Sequence, residues 1–441
     1  MSLTGKIRNR IFITVFMLLL SATAFSQQVK VLTLQQAISL ANANNSDLVI
    51  ARYDLLQAQE EVSQIYRENL SPSVTLSSKY TRYFKKPTVE ILGQKISTLT
   101  DNQIFNTLDV IQPLPFLGVP VGAALTIADN YTKLSEANIR AKEISLSTQI
   151  KKSFYTALLY KEQIGVNQAG LVNAQENLRV VESRYRNGAE TEFNYLRARV
   201  RVSTLEPNVK SSVDSYEIAK KNLKSTIGLK SDEEIDVTGD LKYDSTEVFS
   251  SSKPVLDKMV EDNIRIRSLR INKIINEETV KVDRAGYYPK LSLFGQYSSQ
   301  ANENDGKSVT NYFFNNVLNA GVSLSWNLNF FRNDPKVHKS ELEVKKTDEL
   351  IADTKSKIKV QAETVLIRIE DARERIRAQY ENVKLTERSV ELANINFKSG
   401  VLNQIDVLDA NFSLDQARLA YIQAVYDYIN ARAELEELLE K

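Results

Sequence analysis

Few residues of this chain could do covalent chemistry. His338 is the only histidine in 441 residues, and it stands beside Lys339 in a charged segment, where a solvated side chain is far more common than a general base. Cysteine is absent, which removes disulfides, thiolate zinc sites, cysteine nucleophiles and N-terminal lipidation from consideration. No phosphate loop, metal-ligand spacing or nucleophile motif accompanies the histidine, so the sequence predicts no enzyme and implies no cofactor. What remains is electrostatic. Asp406 and Asp409, three apart, share one face of a helix. Asp406 also suits the first turn of a helix capped by Asn403, where the macrodipole favours an acid; Asp409 lies further in and is less easily explained that way.

Charge gives no support to a nucleic-acid partner. Lys6, Arg8 and Arg10 precede an apolar run from Ile11 to Leu20 broken only by Thr14, and Ala24-Phe25-Ser26 carries small residues at the usual cleavage spacing. Residues 1–26 are therefore expected to be a signal peptide, with the mature chain starting near Gln27. The alternative, an uncleaved anchor, would need about 20 apolar residues to span a bilayer. Taking those three cations from the 57 in the chain leaves 54 against 55 acids, a balance of −1, and no Lys/Arg block that would read as a phosphate-binding patch.

The elements that must carry everything else are written twice. Pro72-Ser-Val-Thr-Leu-Ser-Ser-Lys-Tyr80 returns as Pro289-Lys-Leu-Ser-Leu-Phe-Gly-Gln-Tyr297 at an offset of 217, and Tyr185-Arg-Asn-Gly188 returns as Phe397-Lys-Ser-Gly400 at an offset of 212. Residues 27–229 and 255–441 are thus read as two structural repeats, and 230–254 as the polar segment between them. Each repeat reads helix, strand, loop, strand, very long helix, turn, long helix. The strands are expected near 73–84 and 105–114, then near 290–300 and 316–330.

Strict alternation marks those strands. Val74, Leu76 and Tyr80 face one way and Thr75, Ser77 and Lys79 the other; Ala320, Val322, Leu324 and Trp326 alternate with Gly321, Ser323 and Ser325. A half-buried antiparallel sheet of a soluble domain gives such a pattern. So does an outer-membrane barrel, which also needs aromatic girdles, and Tyr80, Tyr83, Phe84, Tyr288, Tyr297, Phe313 and Trp326 cluster near the strands. Four strands cannot close a barrel, since bacterial barrels start at about eight, so a membrane sheet of this kind requires further copies of the chain to satisfy its edges.

The helices carry a seven-residue repeat: Ile150, Ala157, Ile164, Leu171, Leu178 and Tyr185, and again, each 212 further on, Ala362, Ile369, Ile376, Val383, Val390 and Phe397. Helices packed side by side in coiled-coil fashion follow from it. Spans of about 122–186 and 335–398 would be roughly 100 Å long at 1.5 Å per residue, a rod rather than a compact domain. Pro207, opposite Leu419 in the repeat, should kink or interrupt the helix that follows Gly188.

In this order of elements, in the Ser71-Pro72 and Tyr288-Pro289 steps into the strands, and in the run from Phe397 through Gly400, Asp406 and Asp409 to Leu414, Ala417, Tyr421, Ala424, Tyr428 and Ala431, the chain resembles the TolC family of outer-membrane channels. That resemblance covers the whole mature chain. It implies a mixed fold, a membrane β-barrel continued by a helical α-barrel, with four strands per chain completing a twelve-stranded barrel in a homotrimer. It implies the exit duct of a tripartite efflux pump or of a type I protein secretion system, set in the lipid of the outer membrane and extending into the periplasm. The implied partners are a periplasmic adaptor (membrane fusion) protein and an inner-membrane transporter of the RND or ABC type.

By the same resemblance Asp406 and Asp409 line the periplasmic entrance, where three chains would converge six carboxylates that attract cations and raise one another's pKa values. Tyr185, Gly188, Phe397 and Gly400 mark the turns that meet the adaptor, although glycine is also the default end of any helix. Tyr80, Tyr297 and Trp326 become lipid-facing or interfacial aromatics. Two departures are visible: Phe397 lacks the hydroxyl of the tyrosine that the best-known family member has at the closed entrance, and Asn194 replaces an acid there; the first repeat has Asn194 and Arg197 in the places of Asp406 and Asp409, so each chain brings one Asp pair. A periplasmic coiled-coil adaptor or scaffold, also secreted and rich in heptads, is the reading from a different class; it would carry one helical hairpin, not two equivalent copies.

Overall fold

The computed structural model describes residues 29–115, 118–230, 232–243, 253–328 and 330–440. The expected signal peptide and the Ser250-Ser-Ser part of the inter-repeat segment lie outside the described residues. Two compact units divide the chain, one drawn from the stretches up to Val49, Glu143–Ser251 and Ala362–Lys441, the other from Ile50–Lys142 and Ser252–Gln361.

The second unit holds the sheet. β2 (Ser73–Arg82), β5 (Asn102–Pro113), β7 (Lys290–Glu303) and β8 (Phe314–Ser325) pair in the order β2-β5-β7-β8, every contact antiparallel. The register aligns the alternation of all four strands. Val74, Val110, Gly295 and Ala320 form one cross-strand row, and Leu76, Leu108, Tyr297 and Leu318 the next on the same face. On the opposite face Thr75, Asp109, Gln296 and Asn319 form a row. There Gln296 Nε2 donates to Asp109 Oδ1 at 2.6 Å, and the Ser77 and Thr107 hydroxyls meet at 2.7 Å. This second face is less purely polar than the sequence suggests, because Phe105, Ile111, Phe294 and Val317 share its parity. Tyr297 lies in a middle row, while Tyr80 lies toward one end and Trp326, just past β8, donates its indole N–H to Tyr287 O at 3.1 Å at the other.

The difference between the two offsets is located here. Ser73 and Lys290, where the first strands begin, differ by 217, and Pro113 and Ser325, where the second strands end, differ by 212. The first repeat is longer between these points and carries an extra hairpin, β3 (Thr88–Ile91) with β4 (Gln94–Ser97), where the second has only a 3-10 turn at Val309–Asn311. Lys86 pairs with Asp101 at 2.5 Å, Arg82 with Asp305 at 3.0 Å, and Asp101 accepts from the Asp305 N–H at 3.0 Å, so the bases of the two connections are tied together.

Two helices, not one, precede the strands in each repeat: α1 (Leu34–Asn44) and α2 (Ser46–Leu70), then α5 (Lys253–Asp262) and α6 (Ile264–Arg284). After the strands come α3 (Val121–Arg186) with α4 (Glu192–Ile227), and α7 (Phe330–Lys398) with α8 (Gln404–Leu438). Helix α4 runs unbroken through Pro207, so the proline does not interrupt it. Among the described residues no helix is long and apolar enough to cross a membrane.

In the first unit the heptad positions Ile150, Ala157, Ala362, Ile369 and Ile376 are buried, whereas Tyr185 near the turn is exposed and Val383, Val390 and Phe397 are half-buried. The polar inter-repeat segment is not all loop. Its β6 (Ile235–Val237) pairs in parallel with β1 (Lys30–Leu32), and Lys161 and Tyr216 both reach Asp236, fastening that strand to α3 and α4. Burial and the Asp236 carboxylate push the Tyr216 phenol up from its ordinary value.

Candidate functional site

The two turns repeat one backbone pattern. Gly188 takes φ +72° and Gly400 φ +78°, the left-handed region that favours glycine, and an added Cβ would meet nothing within 4 Å at either, so conformation rather than crowding selects the residue. Gly188 N–H donates to Tyr185 O at 2.9 Å and Ala189 N–H to Arg184 O at 2.8 Å. Their equivalents, Gly400 N–H to Phe397 O at 3.1 Å and Val401 N–H to Asn396 O at 2.8 Å, stand 212 residues on.

The side chains beside the turns diverge. Tyr185 stacks on Tyr195 with centroids 5.2 Å apart, and the Arg184 guanidinium lies 5.8 Å from the centre of the Phe397 ring. In the first repeat the Thr191 N–H donates to Glu190 Oε1 at 3.2 Å; in the second, the equivalent Asn403 N–H donates to Asp406 Oδ2 at 2.9 Å. A carboxylate therefore covers the same orphan donor twice, from opposite sides in sequence. The Asn194 amide donating to Glu190, helped by the Thr191 N–H and Arg184, holds that carboxyl below the usual range.

Asp406 is thus engaged in the capping that its position suggested. Asp409 is not: it is exposed on the next turn of α8, and it lines an open groove of about 470 Å³ with Arg197 and Arg201 of α4. Arg197 is the residue that occupies Asp409's place in the first repeat. The sequence reveals that equivalence, but not that the two equivalents face one groove.

Sequence reasoning missed a further pair. Asp415 of α8 lies against Gly170 of α3 so closely that an added Cβ would sit 2.6 Å from Asp415 Oδ2. Burial pushes the Asp415 carboxyl above the usual range, against the pull of Arg201 and Arg418. A glycine inside a heptad helix was the available signal.

Known proteins bear on these features. A family described as outer membrane efflux protein matches residues 37–229 and 255–440. The cobalt-zinc-cadmium resistance protein CzcC of Cupriavidus metallidurans is 22% identical over 421 residues, covering 92% of this chain and 90% of that protein. The outer membrane protein TolC of Vibrio cholerae is 24% identical over 200 residues, 45% of each chain. The outer membrane channel CmeC of Campylobacter jejuni shares the fold, with a TM-score of 0.77 at 17% identity over 92% of this chain and 85% of that one. None of these carries the name of an enzyme. Since the family match takes in both repeats, the chain belongs to the outer membrane efflux protein family and is a protein of the outer membrane.

Proposed function

We propose that three copies of this chain form the exit duct of a tripartite efflux pump: a twelve-stranded barrel in the outer membrane, continued into the periplasm by a tunnel of the long helices. One observation carries the reading. The sheet ends in two uncovered edges, β2 and β8, that run in opposite directions. The β8 of one copy can therefore pair antiparallel with the β2 of the next, a head-to-tail contact that closes into a ring. Strands of 10 to 14 residues suit a tilted membrane crossing. Helix α2 supports the same reading, since Ile50, Tyr53 and Leu56 are more than half exposed on it. Periplasmic adaptor and inner-membrane transporter complete the pump; the transporter selects the substrate.

The expected species after extraction in a mild detergent is a trimer of chains that weigh 49.9 kDa each before any processing. Native mass spectrometry or light scattering reads this directly, and a stable, folded monomer would end the proposal, because lipid does not tolerate open strand edges.

Asp406 and Asp409 are proposed to ring the tunnel entrance. Replacing both by Ala should leave the trimer intact, since an acid in a first turn contributes only about 0.3–1 kcal/mol. In planar bilayers a multivalent cation added on the periplasmic side should block the wild type and block the double variant far less. Equal block of two trimeric proteins would place the constriction elsewhere.

A further inference from the structure

The groove beside Asp409 is built like a ligand site. Its floor is apolar, made by Phe193, Leu196 and Val200 of α4 and Phe412 of α8, all of them exposed. Two guanidiniums lie over its aromatic rings, Arg197 at 5.7 Å from the Phe193 centroid and Arg201 at 4.5 Å from that of Phe412. Among the described residues, no carboxylate lies within ion-pair distance of either arginine and neither side chain makes a hydrogen bond. Elsewhere in the same unit the pattern is different: Arg368, Arg375 and Arg418 are each paired with a carboxylate. A ring that holds a guanidinium by its face leaves the N–H edge free to donate. Asp409 is the one acid of the lining, set against two cations; Asp415, which also feels Arg201, is buried outside it.

We infer that this groove binds an amphipathic organic anion, an aromatic or aliphatic body resting on Phe193, Leu196, Val200 and Phe412 while its sulfonate or carboxylate accepts from Arg197 and Arg201. The volume suits a small organic molecule, for which pockets of about 300–1,000 Å³ with an apolar lining and few polar groups are usual. Planar, bidentate donation is what arginine offers to such an acid group. The groove is lined by residues of one chain, so variants in it report on binding while the mass of the extracted species reports separately on assembly.

The test uses the full-length protein in an uncharged maltoside detergent and three probes of one shape: naphthalene-1-sulfonate, naphthalene-1-methanol and naphthalen-1-ylmethylammonium. Titration calorimetry against matched micelles should rank them sulfonate first, alcohol second, ammonium last. The double variant Arg197→Gln/Arg201→Gln keeps the floor and should lose about tenfold or more in sulfonate affinity, by removal of two charge-assisted contacts. Asp409→Asn, which takes away the one acid of the lining, should strengthen sulfonate binding a few-fold. Tighter binding of the ammonium probe, an unchanged affinity in the Gln variant, or no sulfonate binding by the wild type would each overturn the assignment. The last result would mean that a second copy or a partner helix covers the groove.

Discussion

Leu318→Arg should cost the folded, membrane-inserted protein about 2–4 kcal/mol, roughly 30- to 1,000-fold in the folding equilibrium, while Asn319→Arg one residue on should cost under about 1 kcal/mol. Leu318 sits in the middle row of the apolar face, beside Tyr297, and is 79% exposed. Water would penalise that exposure as surely as lipid rewards it, so the face needs a cover, and in the proposed barrel the cover is hydrocarbon. An arginine there would have to leave water for the centre of the bilayer. Asn319 belongs to the row with Thr75, Asp109 and Gln296, where an added charge meets polar neighbours and, in the barrel, a wet lumen. Urea titration of folding into phosphatidylcholine vesicles measures both variants. Equal sensitivity would mean that the two faces see the same solvent and that the sheet belongs to a soluble fold.

The second large effect is expected at Gly118. An added Cβ there would lie 2.5 Å from Pro289 O and 2.7 Å from Tyr288 O, and its N–H already donates to Pro289 O at 3.1 Å. Both obstacles are backbone atoms just before β7, which cannot swing aside as the end of a side chain can. Gly118→Ala should therefore destabilise by about 3 kcal/mol, the upper range for overpacking. Gly122, four residues on in α3, has nothing within 4 Å of an added Cβ. Its alanine variant should be neutral or stabilising by up to about 1 kcal/mol, as helix propensity dictates. The same urea titration compares them, and a Gly118→Ala protein as stable as Gly122→Ala would show that the strand entry yields.

Much of the architecture was legible because it was written twice. Alternation in one short stretch such as Val74 to Tyr80 is weak evidence, but the same phase recurring at Leu291 to Tyr297 is a second sample of one fold, and the heptads of α3 and α7 share both period and offset. Short or unrepeated elements escaped. The pairing of β1 with β6 joins three-residue strands about two hundred positions apart, and neither has enough residues to show a period. The β3–β4 hairpin exists in one repeat only, so comparison of the copies reported it as a change of offset and nothing more. Pro207 misled for another reason: a long helix held by packing on its neighbours can lose one hydrogen bond without ending, whereas the proline rule is strongest for helices that stand alone. At the candidate site, Asp406 was readable as a cap because capping is local. The meeting of Asp409 with Arg197 and Arg201 joins two helices more than two hundred residues apart in sequence, and only tertiary packing brings it about.

The matched turns at Gly188 and Gly400 have a consequence for stoichiometry. Their backbones offer one shape, yet the N–H of the cap residue is accepted by Glu190 after the first turn and by Asp406 after the second. In the proposed trimer these turns would make six seats of similar backbone outline in two chemical versions. A partner that docked on both kinds of turn would not find them equally good, so its occupancy would climb in two steps, to one partner per chain and then to two.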